Sequence, residues 1–291
     1  MDETQTTDAA MSVVQRGLQP AYESTLLQAY LYELGYLTNV DGIPGPNTTR
    51  AVRKFQADHN LVVDGIAGEK TWTLMFSLKP DLLQAITSKW LSQADLQAFS
   101  DRFQLALPAV KAVYEVESSG TGFLGLRPKI LFEGHLFWQQ LIKAGMDPTQ
   151  LSSGNEDILY PKWDSSKYLG GIAEYGRLER ARAIDRDAAD TATSWGMFQI
   201  LGLSALELKY DSVAAFVEQM AVSEAAQLEA FGRYITTYKN RGQSLLYWLQ
   251  QGKWDYFAER YNGPSYADNR YDTRLQQAYD RAKQALAGTA V

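Results

Sequence analysis

The sequence predicts a mainly α chain, α+β in detail, with a small three-helix unit at the N-terminus and a larger helical domain carrying a small β region. Three observations predict it. Apolar residues recur at helical spacing along most of the chain: Leu27, Leu31 and Leu34; Val110, Val113 and Tyr114; Val213, Phe216, Val217 and Met220; Leu228, Phe231 and Ile235. An internal repeat offset by 23 residues sets the first part of the chain apart. One short apolar run, from Lys129 to His135, reads as a strand entering a tighter segment.

Composition narrows the possibilities further. The 291 residues have room for one large domain or two smaller ones, and the net charge of −6 leaves no basic footprint for nucleic acid or an anionic membrane. No cysteine is present, which excludes disulfides and thiolate zinc sites and fits a reducing compartment; two histidines, His59 and His135, exclude a multi-histidine metal centre. No metal or organic cofactor is implied. The acidic start at Met1-Asp2-Glu3-Thr4 has no apolar core of a secretion signal, and no run approaches the ~18 apolar residues of a membrane span. The sequence therefore predicts synthesis in the cytoplasm without a signal peptide, no membrane insertion, and nothing that demands more than a monomer.

In chain order, residues 1–12 are polar and read as a frayed tail. A helix over about 23–34 stops at Gly35. Val40-Asp41-Gly42-Ile43-Pro44-Gly45-Pro46-Asn47-Thr48 then aligns with Val63-Asp64-Gly65-Ile66-Ala67-Gly68-Glu69-Lys70-Thr71, identical at six of nine positions. Each copy is an Asp-Gly turn feeding a helix: the glycine permits positive φ, and the aspartate can bond its own backbone two residues on. Ala51, Val52 and Phe55 form the apolar side of the first helix, and Trp72, Met75 and Phe76 that of the second. Lys79-Pro80-Asp81 is the boundary, with Asp81 able to cap the next helix. The expected division is a tail over 1–12, a first domain over 13–79 and a second over 80–291.

This first set of motifs, from Leu34-Gly35-Tyr36 to Thr71-Trp72, resembles the three-helix peptidoglycan-binding domain of cell-wall enzymes. The likeness covers residues 13–78, and it is specific because several motifs recur in order. It implies a bacterial peptidoglycan partner.

The second domain is organised around the helix opening at Leu107-Pro108. Pro108 suits a first helical turn, and Gly120 and Gly122 suit the stop. Glu117 continues the stripe of Val110, Val113 and Tyr114, whereas Glu115 points nearly the opposite way as a solvated charge. A carboxyl on an inward face loses hydration, its pKa rises, and it can hold a proton near neutrality, as a general acid must. Further on, residues 147–171 form a loop-rich stretch, and a charged helix from Glu174 to about Asp190 reads as a solvated face. The chain is helical from about Leu206, interrupted by a turn at Tyr261-Asn262-Gly263-Pro264.

Glu117-Ser118-Ser119-Gly120, Gly196-Met197-Phe198-Gln199-Ile200 and Tyr261-Asn262-Gly263-Pro264 together resemble the lysozyme-like superfamily, especially goose-type lysozymes and lytic transglycosylases. Met197-Phe198 replaces a Leu-Met pair, and Asn262 is followed directly by Gly263. With Leu131-Phe132-Glu133-Gly134-His135-Leu136-Phe137 and Tyr168-Leu169-Gly170-Gly171, the closer likeness is to the N-acetylmuramidase family of phage endolysins, over roughly residues 90–287. It implies a lysozyme-like muramidase that cleaves the β-1,4 bond between N-acetylmuramic acid and N-acetylglucosamine, and release to the wall through holin-type lesions.

A glycosidic oxygen leaves poorly unless protonated, and Glu117 is the expected donor. Ser118, Trp195, Gly196, Met197, Gln199, Tyr261 and Asn262 are the expected substrate-binding residues. Gly196 would let backbone approach the sugar, Gln199 would bond hydroxyl or N-acetyl groups, Trp195 and Tyr261 would offer ring faces, and Asn262 would orient Glu117 or a water. Glu133 is the expected second catalytic carboxylate, paired with Arg127 or His135 on the alternative reading; Asp185, Asp187 and Asp190 are its rivals. Two other functions stay open: a lytic transglycosylase producing 1,6-anhydromuramic acid, and a non-enzymatic wall-binding virion protein.

Overall fold

A computed structural model describes residues 20–118 and 120–288. The predicted polar tail over 1–12 lies outside the described residues. Among those described there are fifteen α-helices and only two- and three-residue strands, so the chain is mainly α with a small β region. It divides into two compact units that are not consecutive in sequence. One takes the chain up to Trp90 together with Phe123–Ser194; the other takes Leu91–Gly122 and the chain from Trp195 onward.

In the first unit, α1 (Pro20–Glu33), α2 (Pro46–Asp58) and α3 (Glu69–Leu78) enclose a core of Leu26, Tyr30, Leu31, Val52, Phe55, Trp72, Met75 and Phe76. Each such side chain contributes roughly 1.5–3 kcal/mol when fully buried, enough to hold together helices too short to persist alone. The duplicated turns form as their sequence predicts. Gly42 and Gly65 have φ of 74° and 79°, and the Ile43 and Ile66 N–H groups donate to Asp41 Oδ1 and Asp64 Oδ1, each at 2.8 Å.

A feature absent from the turn motif holds both turns to the helices. Gln28 on α1 accepts from the Asp41 and Gly42 N–H groups at 2.9 and 2.8 Å and donates to Asp41 Oδ1, the Ile43 carbonyl and Thr48 Oγ1. Gln56 on α2 does the same for the second turn, accepting from Gly65 N–H and donating to Asp64 Oδ1, the Ile66 carbonyl and Thr71 Oγ1. Both amides are buried, so the polar loop backbone finds partners away from water.

Several local expectations need correction. Asp81 precedes α4 (Leu82–Thr87) but makes no side-chain cap, because its own backbone is already helical at φ −83°, ψ −14°. The strand expected over Lys129–His135 ends early: β3 is Ile130–Phe132, Glu133 is the N-cap residue of α7 (Gly134–Lys143), and His135 is helical. Before it, β1 (Phe123–Leu124) pairs antiparallel with β2 (Arg127–Pro128). After the short α8 (Pro148–Leu151) and a loop-rich stretch, the helix expected over Glu174–Asp190 is two helices, α9 (Glu174–Ile184) and α10 (Arg186–Thr191). Asp185 breaks it with extended backbone and caps α10 by accepting from Ala188 N–H at 2.8 Å.

The second unit contains α5 (Gln93–Phe103) and α6 (Leu107–Glu117). Trp195 ends β4 (Thr193–Trp195), and the chain then turns into its neighbour β5 (Ile200–Leu201). The helices α11 (Val213–Met220), α12 (Glu224–Thr237), α13 (Leu245–Gln250), α14 (Trp254–Tyr261) and α15 (Tyr271–Gly288) follow, with a hairpin of β6 (Lys239–Asn240) and β7 (Gln243–Ser244) between α12 and α13. Serines 92, 212, 223 and 244 cap α5, α11, α12 and α13 through side-chain oxygens that accept from the amide three residues on, in the first turn. Among the described residues, no helix is long and apolar enough to cross a membrane.

Candidate active site

Helix α6 carries Glu117 as its last residue. Pro108 lies in its first turn, Val110, Val113 and Val116 are buried, and α15 packs along its length. Glu115 is exposed and pairs with Arg281 of α15, the solvated role expected of it. Glu117 is different. Its Oε2 accepts from Asn262 Nδ2 at 2.8 Å, while its Oε1 is buried with no hydrogen-bond partner among the described residues. Burial disfavours the charged form and raises the pKa to about 7; the Asn262 hydrogen bond and the positive charge of Arg274 pull the other way without offsetting it. With a pKa of about 7 the carboxyl carries a proton about half of the time at neutral pH, with Oε2 bonded to Asn262 and Oε1 without a partner among the described residues.

The turn after β4 reaches Glu117 through hydrogen bonds. Tyr261 is the last residue of α14 and Asn262 is that helix's C-cap, so the two are presented together. Tyr261 donates from its hydroxyl to the Phe198 carbonyl at 3.0 Å. Burial holds that hydroxyl neutral, with the nearby Glu117 charge acting in the same direction. The Met197 N–H donates to Gln227 Oε1 at 2.8 Å, and Gln227 Nε2 donates to the Gly122 carbonyl at 3.1 Å, just past the exit of α6. Glu117, Asn262, Tyr261, the 196–199 turn, Gln227 and Gly122 thus form a closed circuit.

This geometry reassigns several expected substrate contacts. Trp195 is 2% exposed and Met197 0%, so neither side chain offers a surface to a sugar; an apolar residue beside a motif is drawn into the core. Tyr261, half-buried, stacks on Phe257 with Phe231 and Tyr234 edge-on, which makes the ring part of an aromatic cluster. Gly196 has φ of 74°, and a Cβ there would lie 2.7 Å from Gln227 Cδ; the close approach it permits is by Gln227 rather than by a ligand. Gln199 adopts φ of 48° and turns its amide back to the Gly196 carbonyl at 2.8 Å. Ser118 is buried as the C-cap residue of α6.

Glu133, in the other unit, accepts a very short hydrogen bond from the Tyr168 hydroxyl. Burial and that carboxylate raise the tyrosine's pKa, so the phenol stays a donor. His135 Nδ1 lies 3.4 Å from Glu133 Oε2, close enough for an ion pair when protonated but not aligned for a hydrogen bond. Arg127, the other expected partner, lies over the Tyr175 ring instead. The rival aspartates have other positions: Asp185 caps α10, Asp187 is exposed, and Asp190 is paired with Arg182 at 2.6 Å.

The charged face predicted over Glu174–Asp190 is not wholly solvated. Glu174 is 0% and Arg177 1% exposed, and they form an ion pair at 2.7 Å. Glu174 also accepts from the Leu169 and Gly170 N–H groups, beside Tyr168. Arg177 donates to the carbonyls of Phe132, beside Glu133, and of Asp157. Breaking such a pair costs about 3–5 kcal/mol because the survivor is left charged and buried. The pair therefore fixes Glu133 and its tyrosine donor from below. A helical i, i+3 Glu-x-x-Arg reads the same in sequence whether buried or exposed, so no local signal distinguished it.

A helical scaffold that lifts the pKa of one carboxyl to about 7 is the equipment of a glycoside hydrolase. Comparison with known proteins agrees. The N-acetylmuramidase family profile matches residues 106–283, and the profile of a peptidoglycan binding domain matches residues 22–75. The crystal structure of the Burkholderia AP3 phage endolysin is similar at 43% identity, covering 90% of this chain and 96% of that one, with a TM-score of 0.63. The chain belongs to the N-acetylmuramidase family, and its N-terminal region is a peptidoglycan-binding domain.

Proposed function

We propose that this protein is an endolysin that hydrolyses the β-1,4 bond between N-acetylmuramic acid and N-acetylglucosamine in bacterial peptidoglycan, lysing the host cell. Residues 13–79 form its wall-binding part and 80–291 its muramidase part. The observation that carries the reading is Glu117: largely shielded from water, lifted to a pKa of about 7, bonded on Oε2 by Asn262 and, among the described residues, unpartnered on a buried Oε1. In this reaction Glu117 gives its proton to the glycosidic oxygen as the bond from that oxygen to C1 breaks. Positive charge develops at C1, Glu133 stabilises it or activates a water, and the water oxygen completes the hemiacetal while its proton leaves to a carboxylate. The similarity to a phage endolysin supports the lytic role, and a wall-binding domain raises the local concentration of the enzyme at an insoluble polymer.

The test is muropeptide mass spectrometry on sacculi digested by wild type and by Glu117→Gln. Hydrolysis yields reducing-end N-acetylmuramic acid from the wild type and no product from the variant. A product lighter by one water is the anhydro sugar of a lytic transglycosylase and overturns hydrolysis. Equal digestion by wild type and Glu117→Gln overturns the role of Glu117, and no digestion by either leaves a wall-binding protein without activity.

A further inference from the structure

Gln227 belongs to none of the three motifs, yet the glycine of one of them, Gly196, and Gly122 just past another are packed against it. The side chain is buried on α12, accepting from Met197 N–H at 2.8 Å and donating to the carbonyls of Gly122 at 3.1 Å and Met220 at 2.9 Å. A Cβ on Gly122 would lie 2.0 Å from Gln227 Oε1, and one on Gly196 2.7 Å from Gln227 Cδ. The φ of Gly122 is not positive, so crowding by α12 is what demands glycine there. One turn earlier on the same face of α12, Glu224 accepts from the Gly122 N–H and the Leu91 N–H, both at 2.7 Å. Gly122, five residues beyond Glu117, is thereby held at its N–H by Glu224 and at its carbonyl by Gln227.

We propose that Gln227 is a positioning residue for the general acid, fixing the exit of α6 against the Met197 turn so that Glu117 keeps its depth and its Asn262 partner. The circuit described above gives the route: Gly122 to Gln227, Gln227 to Met197, Phe198 to Tyr261, and Asn262 to Glu117. A loosened exit lets water reach the carboxyl, and hydration of a carboxyl favours its charged form. The groups facing Glu117 from the elements packed on it are Arg274 of α15 and Tyr261 and Asn262 at the end of α14. Gln227→Met alters none of their charges, so a shift in titration reports position rather than a new charge. The inference rests on Glu117 being the general acid.

The experiment measures kcat, KM and the pH profile on soluble murein glycan for Gln227→Met, with folding checked by near-ultraviolet circular dichroism. The expected result is a kcat about tenfold lower, KM within about twofold, and an alkaline limb moved to lower pH, because an effect confined to the transition state appears in kcat. A merely structural role lowers the melting temperature and leaves the limb where it was. If Gln227→Met does not fold, Gly122→Ala with Gln227→Ala replaces it: the shortened side chain makes room for the new methyl. That pair is expected to melt higher than Gly122→Ala alone and still show the reduced kcat and displaced limb. A folded variant of either kind with the wild-type kcat and limb overturns the proposal. If Glu117→Gln is itself active, the general-acid assignment fails instead, so the two failures are told apart.

Discussion

Asn262 Nδ2 donates to Glu117 Oε2 at 2.8 Å, and this bond opposes the burial that raises the carboxyl's pKa. A donor to a carboxylate favours the charged form, so the asparagine steadies the acid while keeping its pKa from climbing further. Asn262→Ala is therefore expected to raise the Glu117 pKa beyond about 7. The alkaline limb of murein clearing should move to higher pH while the maximal rate falls about tenfold, since the oxygen geometry is lost. Arg274→Gln should move the limb in the same direction, having also favoured the charged form. A limb displaced to lower pH in either variant sinks the account.

The same carboxyl makes stability depend on pH. Its folded pKa is raised from 4.5 to about 7. Its stabilising contribution is thus fully present below about pH 4.5 and is lost as pH rises through about 7. Glu117→Gln removes the ionisation and keeps an oxygen able to accept from Asn262. The variant is expected to melt with the wild type at pH 4 and above it at pH 8, by on the order of 3 kcal/mol or roughly 5–10 °C. Scanning calorimetry at the two values checks this; an equal difference at both removes the linkage.

How far the chain could be read in advance follows the distance over which each interaction acts. The Asp-Gly turns were legible because aspartate, glycine and the bonded amide lie within three residues. Glu117 was legible because a helical stripe is a local pattern. Gln28 and Gln56 were not: they bond turns 13 and 8 residues away and fall out of step with the 23-residue repeat. Gln227 meets Gly122 across 105 positions, beyond any spacing rule. Trp195, expected as a sugar platform, is 2% exposed, because an aromatic in a motif carries no mark of whether its ring faces out or into the core.

Tyr168 supplies the hydroxyl that bonds Glu133, and its raised pKa keeps it a donor throughout the working range. If Glu133 assists cleavage, Glu133→Gln should lower the clearing rate on the order of 100-fold, the lower range for acid-base partners. Tyr168→Phe, which keeps the ring but removes the hydroxyl that bonds Glu133, should lower it about tenfold. Full activity in Glu133→Gln, together with anhydro muropeptides, would point to a mechanism with one carboxyl and a sugar hydroxyl in place of water.

The paired glutamines of the N-terminal domain give a prediction that separates wall binding from catalysis. Gln56→Leu fills a similar volume but leaves the Gly65 N–H, the Ile66 carbonyl and Thr71 Oγ1 without the partner they have at 2.9–3.2 Å. Stranding the buried Thr71 hydroxyl costs about 1–3 kcal/mol, and the two turn groups, nearer to water, add less. Gln28→Leu strands the first turn in the same way. Either variant is expected to lose most of its retention on sacculi in a pull-down while cleaving soluble murein glycan at a rate within about threefold of wild type, because the Glu117 circuit is built from other residues. Retention at the wild-type level, with an unchanged melting temperature, would mean that the duplicated turns hold without their glutamines.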